Sequence, residues 1–307
     1  MHWLAFGTYD TAAHPRVAAL IDGVRAHGYE IVEVDEPLGL STAQRVRMLH
    51  QPWRVPRLGY HLLRAWARLV RRTRALRRAS RTPDVVLVGY LGHFDVLLAR
   101  RLFPDSRIVL DHLVSAAGTA ADRGATGRLL HRLLRALDRA ALRRADVVVV
   151  DTQANRDRLP PADPGRQRRD VVVPVGATAG WFAAAREPGT REPDGPLRVV
   201  FFGLFTPLQG VPVIAAAAAR LADDPRVAFT LIGRGQEYER CRALAAAARI
   251  EWLDWVPGAE LPGLVAAHDV CLGIFGDTSK GRSVVPTKVF QGAAAGCAVV
   301  TSDTPSQ

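Results

Sequence analysis

Leu197-Arg198-Val199-Val200-Phe201-Phe202-Gly203-Leu204-Phe205-Thr206-Pro207-Leu208-Gln209-Gly210-Val211-Pro212-Val213-Ile214 is the stretch that decides the fold. A short apolar run reads as a buried strand over Leu197–Phe202. A turn punctuated by glycine and proline follows it, and an alanine-rich helix starts at Val211. Strand, tight turn and helix in that order open a βαβ unit. The glycines of such a turn allow a phosphate to approach the backbone, and the helix N-terminus offers N–H donors without partners. A tight turn with no ligand fits the same residues equally well.

Toward the C-terminus the pattern repeats. Strands are expected at 228–232, 250–253, 270–274 and 298–301, with helices at 238–248, 260–267 and 288–295 between them. Leu231-Ile232-Gly233-Arg234-Gly235 is a second strand-to-glycine turn. The longest loop, from Gly273 to Pro286, carries Lys280 and Arg282 and runs into a helix that opens at Pro286-Thr287-Lys288. Cations and a helix N-terminus meet there, which suits a diphosphate. Gln291 lies one helical turn beyond Lys288, within reach of a ribose diol. A solvated basic loop capping a helix is the alternative.

Toward the N-terminus the same alternation appears. Strands are expected at 3–8, 30–35, 84–89, 107–111, 146–151 and 170–175, and helices at 17–27, 56–80, 95–102 and 127–144. Arg186-Glu187-Pro188-Gly189-Thr190-Arg191-Glu192-Pro193-Asp194-Gly195-Pro196 has no hydrophobic period and reads as a linker. The chain is therefore expected to be α/β, with two Rossmann-like, doubly wound parallel-sheet domains facing a cleft. These are residues 1–185, the linker 186–196 and residues 197–307. In such sheets ligands bind at the carboxyl ends of the strands. In the first domain those loops hold Gly7, His14, Arg16 and Ser115 as acceptor-side candidates and Asp111 and His112 as catalytic ones. A capping aspartate accounts for Asp111 equally, and a lone histidine such as His112 is more often structural.

The 307 residues are 48% apolar and carry a net charge of +11. Between Pro37 and Pro83 there is no Asp or Glu, and the same stretch holds Arg45, Arg47, Arg54, Arg57, Arg64, Arg68, Arg71, Arg72, Arg74, Arg77, Arg78 and Arg81. Leu58, Leu62, Trp66, Leu69, Thr73 and Leu76 form an apolar face on the helix in this segment. Such a helix (57–81) suits an anionic membrane surface; its apolar face also suits packing on the first domain. No run approaches the roughly 18 apolar residues of a membrane-spanning helix. The N-terminus reads directly into a strand, without a signal peptide. Cys241, Cys271 and Cys297 fit neither a disulfide framework nor a zinc site, so the cytosol is the expected compartment, with peripheral contact at the inner face of the cell membrane. No motif for reading nucleic acid is present.

Several of these pieces together resemble the donor-binding domain of retaining glycosyltransferase family 4, a GT-B family. They are the turn at Gly203–Gly210, Leu231–Gly235, Leu253-Asp254-Trp255-Val256-Pro257, Ala267-His268-Asp269-Val270-Cys271-Leu272 and the segment from Val285 to Val300. The resemblance covers about 110 residues. The resemblance implies a nucleotide-diphosphate sugar as donor, a hydroxyl acceptor, retention of configuration, and no metal or other cofactor. It places Gly203, Gln209, Gly210, Lys280, Arg282 and Lys288 around the diphosphate. It places Gly233, Trp255, Val256, Pro257, Ser283 and Gln291 around the base and ribose. Ser283 and Gln291 stand at the two positions of a Glu-x7-Glu motif, and Gln209 stands where many relatives have a lysine. Each change keeps hydrogen-bonding capacity and removes a charge. Relatives usually continue for several helices, so the second domain is expected to be incomplete. A non-catalytic nucleotide-sugar-binding relative fits the same changes; an epimerase on the same fold and a nucleic-acid-binding protein using the arginine-rich helix are further alternatives.

Overall fold

The computed structural model describes residues 1–11, 15–39, 55–78, 82–113, 115–122, 127–185 and 195–307. Two compact units result, Met1–Val173 and Pro174–Gln307.

The first unit is built on a six-stranded sheet. Its strands are β1 (His2–Gly7), β2 (Glu30–Asp35), β3 (Val85–Val88), β4 (Arg107–Asp111), β5 (Val147–Val150) and β6 (Arg169–Val172), in the order β2-β1-β3-β4-β5-β6. All neighbours are parallel. The Val-Val-Leu-Val of β3 is buried along its whole length, as a parallel strand covered on both faces must be. One face is covered by α2 (Val55–Arg78), α3 (Asp95–Leu102) and α5 (Arg128–Leu142) through Leu69, Val96, Ala99, Ala141 and Leu142. The other face carries α1 (Pro15–Ala26), anchored by Val17 and Ile21. Chain direction across the sheet reverses between β1 and β3, so the switch point lies at their carboxyl ends. The short helices α4 (Ala116–Asp122) and α6 (Gln153–Asp157) leave too little hydrophobic period to be read from sequence.

The apolar face of α2 is occupied by its own domain. Leu69 is fully buried, and Trp66 and Leu76 pack on the same core. Withdrawing a buried leucine from such a core costs about 2 kcal/mol or more, whereas lipid offers it nothing that the core does not. Arg68 and Arg72 pair with Glu36 at 3.4 and 3.5 Å, and Arg72 also donates to the Glu33 carbonyl. Arg57, Arg64, Arg71, Arg74 and Arg78 stay exposed beside Tyr60 and Leu63. Arg45, Arg47, Arg54 and Arg81 lie outside the described residues. No described helix is long and apolar enough to cross a membrane.

The second unit has a five-stranded sheet of β7 (Leu197–Phe202), β8 (Val227–Ile232), β9 (Ile250–Leu253), β10 (Val270–Leu272) and β11 (Ala298–Val300). The order is β11-β10-β7-β8-β9, again all parallel. One face holds α8 (Val211–Arg220) and α9 (Tyr238–Leu244), and the other holds α7 (Ala179–Ala183), α10 (Leu261–Ala266) and α11 (Thr287–Ala294). The switch point falls between β7 and β10. Residues 174–185, which the sequence assigns to the first domain, pack with the second. Trp181 of α7 stacks on Phe202 with ring centroids 5.6 Å apart. The linker expected at 186–196 lies largely outside the described residues.

Candidate functional site

The loops after β7 and β10 meet at the second unit's switch point. Gly210 takes a left-handed conformation (φ 63°), and a β-carbon there would come within 2.3 Å of the Phe275 carbonyl carbon. Phe275 N–H donates to the Gln209 carbonyl at 3.0 Å, which fastens one loop to the other. The Gly-x-Gly at Gly233–Gly235 serves a similar packing need. A β-carbon on Gly233 (φ 131°) would lie 1.9 Å from the Gly203 carbonyl oxygen, and one on Gly235 would meet the Phe205 backbone. These two glycines therefore have a structural reason for being glycine that requires no ligand.

Lys288 comes from the first turn of α11 into this junction. Its side chain is buried, and Nζ donates to the Gln209 side-chain oxygen at 2.6 Å. Nζ also sits 3.7 Å from the centroid of the Phe201 ring. Gly203 leaves the space beside it, since a β-carbon there would be 3.0 Å from Nζ. An ammonium has three donors and no acceptor, and here it makes one hydrogen bond. Burial pushes its pKa down to about 7, against a small opposing pull from Cys271. Gly203, Gln209, Gly210 and Lys288 are thus brought together.

The other donor-side candidates lie on further loops and on α11 of the same unit. Arg282 is exposed and bonded to Asp277 through Nε at 2.7 Å. The Lys280 carbonyl accepts from both the amide and the hydroxyl of buried Ser283, each at 3.0 Å. Gly281 fits against the Gly276 carbonyl oxygen, where a β-carbon would be 2.5 Å away. Gln291 is half-buried on α11. Trp255 follows β9 with 76% of its surface exposed, a free aromatic face, while Val256 packs on the core behind it. The Pro257 carbonyl accepts from the Glu260 and Leu261 amides and starts α10.

The first unit fills its carboxyl edge differently. Arg16 is buried on α1 and binds Asp111 Oδ1 through Nε at 2.8 Å, with NH1 on the Val173 carbonyl. Arg16 and Asp111 hold the ends of β4 and β6 together rather than presenting charge to solvent. Burial pushes the Asp111 pKa up, and the Arg16 guanidinium opposes this. His112 is buried edge-on to His93, with centroids 5.3 Å apart. Burial, with the His93 charge adding to it, pushes the His112 pKa down to about 4. His93 Nε2 lies 3.1 Å from Asp138 Oδ1 on α5. Ser115 Oγ accepts from the Gly118 amide and caps α4. Gly7 leaves room for Asp95, whose Oδ2 would be 3.1 Å from a β-carbon there. His14 lies outside the described residues.

The sequence did not single out Asp95, His93 or Asp138. Asp95 accepts from the Thr8 amide, the Thr8 hydroxyl and Trp66 Nε1, tying the β1 loop to α3 and α2. His93 and Asp95 follow a strand and so obey the rule that selected the other loops. Asp138 is the only acid among the arginines of α5, a signal in itself. Among the described residues no group of three or more His, Cys, Asp or Glu is placed to hold a metal ion.

Residues 196–307 match the family described as Glycosyl transferases group 1. No curated protein matches the chain. Among solved structures, sucrose-phosphate synthase from Thermosynechococcus elongatus is similar at a TM-score of 0.66 and 14% identity, over 99% of this chain and 81% of that one. Anabaena Alr3699/HepE in complex with UDP-glucose gives 0.61 and 15%, over 99% and 80%. The lipopolysaccharide outer core galactosyltransferase WaaB, in its apo form, gives 0.54 and 12%, over 100% and 82%. At these identities the likeness speaks for the fold. Residues 196–307 are thus similar to the group 1 glycosyltransferases, and the two parallel α/β sheets give the chain a GT-B-like fold.

Proposed function

We propose that the chain transfers a hexosyl group from a nucleotide-diphosphate sugar to a hydroxyl acceptor, with retention of configuration and no metal. The observation that carries this reading is Lys288, a buried amine with a neutral partner at the switch point, where a diphosphate would supply the missing charge. The bond from the anomeric carbon to the diphosphate oxygen breaks, and the acceptor oxygen bonds to that carbon on the same face. The hydroxyl proton passes to the departing phosphate oxygen. Lys288, with Lys280, Arg282 and the α11 N-terminus, stabilises the charge left on the diphosphate. Trp255 stacks on the base, and Gln291 and Ser283 lie on the ribose side. On the first unit, His112, which burial favours in its neutral form, is the acceptor-side candidate, with Gly7 and Ser115 on the neighbouring loops.

A thermal-shift screen against UDP, GDP, ADP, dTDP and their sugars, with Lys288→Ala as control, tests the reading. A shift with one nucleotide, lost in the variant, supports it. A cooperative melt that no nucleotide moves leaves a relative without donor binding.

The exposed arginines of α2 fit an anionic membrane as the acceptor's surface, each contributing roughly 1 kcal/mol near it. Sedimentation with phosphatidylglycerol vesicles should be strong at low salt and lost at high salt, and Arg71→Glu/Arg74→Glu should weaken it.

A further inference from the structure

The amine of Lys288 is enclosed by uncharged groups from every element that packs on it. Phe201 and Phe202 of β7 present their rings, at 3.7 and 5.9 Å. Gly203 presents backbone, and Gln209 presents its amide oxygen. Among the described residues Cys271 of β10 is the one titratable neighbour, and burial pushes its thiol up to about 12, so it stays neutral. No carboxylate among the described residues pairs with Nζ. A lysine buried this far from any anion is normally costly, and only the Gln209 oxygen satisfies it. On the donor-site reading, a phosphate oxygen would compete with that oxygen for Nζ. Displacement needs only the Gln209 side chain to turn about its own χ angles, while its backbone stays fastened to Phe275.

We propose that Gln209 is a positioning residue that acts through Lys288: its side chain stoppers the amine in the empty site, and a nucleotide diphosphate binds by displacing it. This rests on the donor-site reading given above. The stopper keeps the amine pointing into the loop junction without the carboxylate that would compete with substrate. When phosphate replaces the amide, the amine gains an anion and its charged form is favoured. Binding then takes up a proton from solution at any pH above the amine's midpoint in the empty site. Affinity falls as pH rises beyond about 7, by roughly tenfold per unit until the bound form also titrates.

Isothermal titration of UDP, GDP, ADP and dTDP at pH 8, in two buffers of different ionisation enthalpy, separates the outcomes. Wild type should take up close to one proton per nucleotide bound. Gln209→Ala, with the stopper gone, should bind as tightly as wild type or a few-fold tighter and still take up the proton. Gln209→Glu, which gives Lys288 a permanent anion, should bind at least about tenfold more weakly and take up none. Proton-free binding by wild type overturns the inference. So does a tenfold loss in Gln209→Ala, which would make Gln209 a direct contact of the donor, or unchanged uptake in Gln209→Glu. A wild-type chain that melts cooperatively and binds none of the nucleotides overturns the donor reading itself, and the inference with it.

Discussion

The two sheets share an architecture and treat their carboxyl edges in opposite ways. Among the described residues of the first unit, the buried Arg16, Asp95, Asp111 and Asp138 meet partners: Arg16 with Asp111, Asp95 with Thr8 and Trp66, and Asp138 with the Ala116 and Ala117 amides. In the second unit the buried charge-bearing group at the switch point, Lys288, meets an amide and two aromatic rings. Paired charges fix a scaffold; an unpaired one leaves a place for a ligand. On the donor-site reading proposed above, the second edge is the one left open to an anionic ligand.

The contrast can be broken most forcefully at Arg16. Arg16→Met strands the Asp111 carboxylate in the core and should cost about 3–5 kcal/mol in chemical denaturation, much of it recovered in Arg16→Met/Asp111→Leu. If the single variant is as stable as wild type, the first edge is not a closed one. Next is Gly233→Ala, where left-handed backbone and a contact with the Gly203 carbonyl coincide. A loss of about 2–3 kcal/mol is expected, against no more than about 0.5 kcal/mol for Gly258→Ala, whose surroundings are open.

Lys288→Met should raise stability near neutral pH by roughly 1–3 kcal/mol while abolishing nucleotide binding. The sign follows from the lowered pKa. Between about 7 and the unfolded value of 10.5 the unfolded chain holds more protons, so wild-type stability rises across that window. The methionine variant should lose this slope, as read from melts at pH 7, 8 and 9. His112 gives a weaker counterpart on the acid side. Its pKa is lowered to about 4, so the stability it confers is complete above 6.5 and lost as pH falls toward 4. His112→Gln should flatten that limb by up to about 3 kcal/mol. The smallest structural effect is expected at Trp255. Trp255→Ala should leave the melt within about 0.5 kcal/mol of wild type and weaken nucleotide affinity about tenfold through lost stacking. Unchanged affinity would remove Trp255 from the site.

Local pattern carries much of the fold. β4, β7, β9 and α3 coincide with the sequence reading because their apolar runs end sharply, at Asp111, Gly203, Asp254 and Phe103. Strand alternation likewise gives two parallel sheets. The domain boundary shifts because Trp181 has nothing nearby in sequence to reveal that it stacks on Phe202. The site is legible by residue and much less so by pairing. Lys288 stands out as a lysine in an arginine-rich chain. Its contact with Gln209, 79 residues away, depends on how two loops close on each other. Arg16 and Asp111 are separated by 95 residues, and no local rule distinguishes a buried ion pair from two polar loop residues.

The glycines at 203, 210, 233, 235 and 276 bear on how substitution data from this protein would read. A saturation scan scored on abundance would find these positions intolerant, because each added side chain meets backbone or Lys288 within 3.0 Å. The same positions would be intolerant in a scan scored on sugar transfer. Depletion there therefore reports loop closure and is silent on catalysis. Activity would be visible only at positions that abundance leaves free, such as Trp255, where the two scores can part.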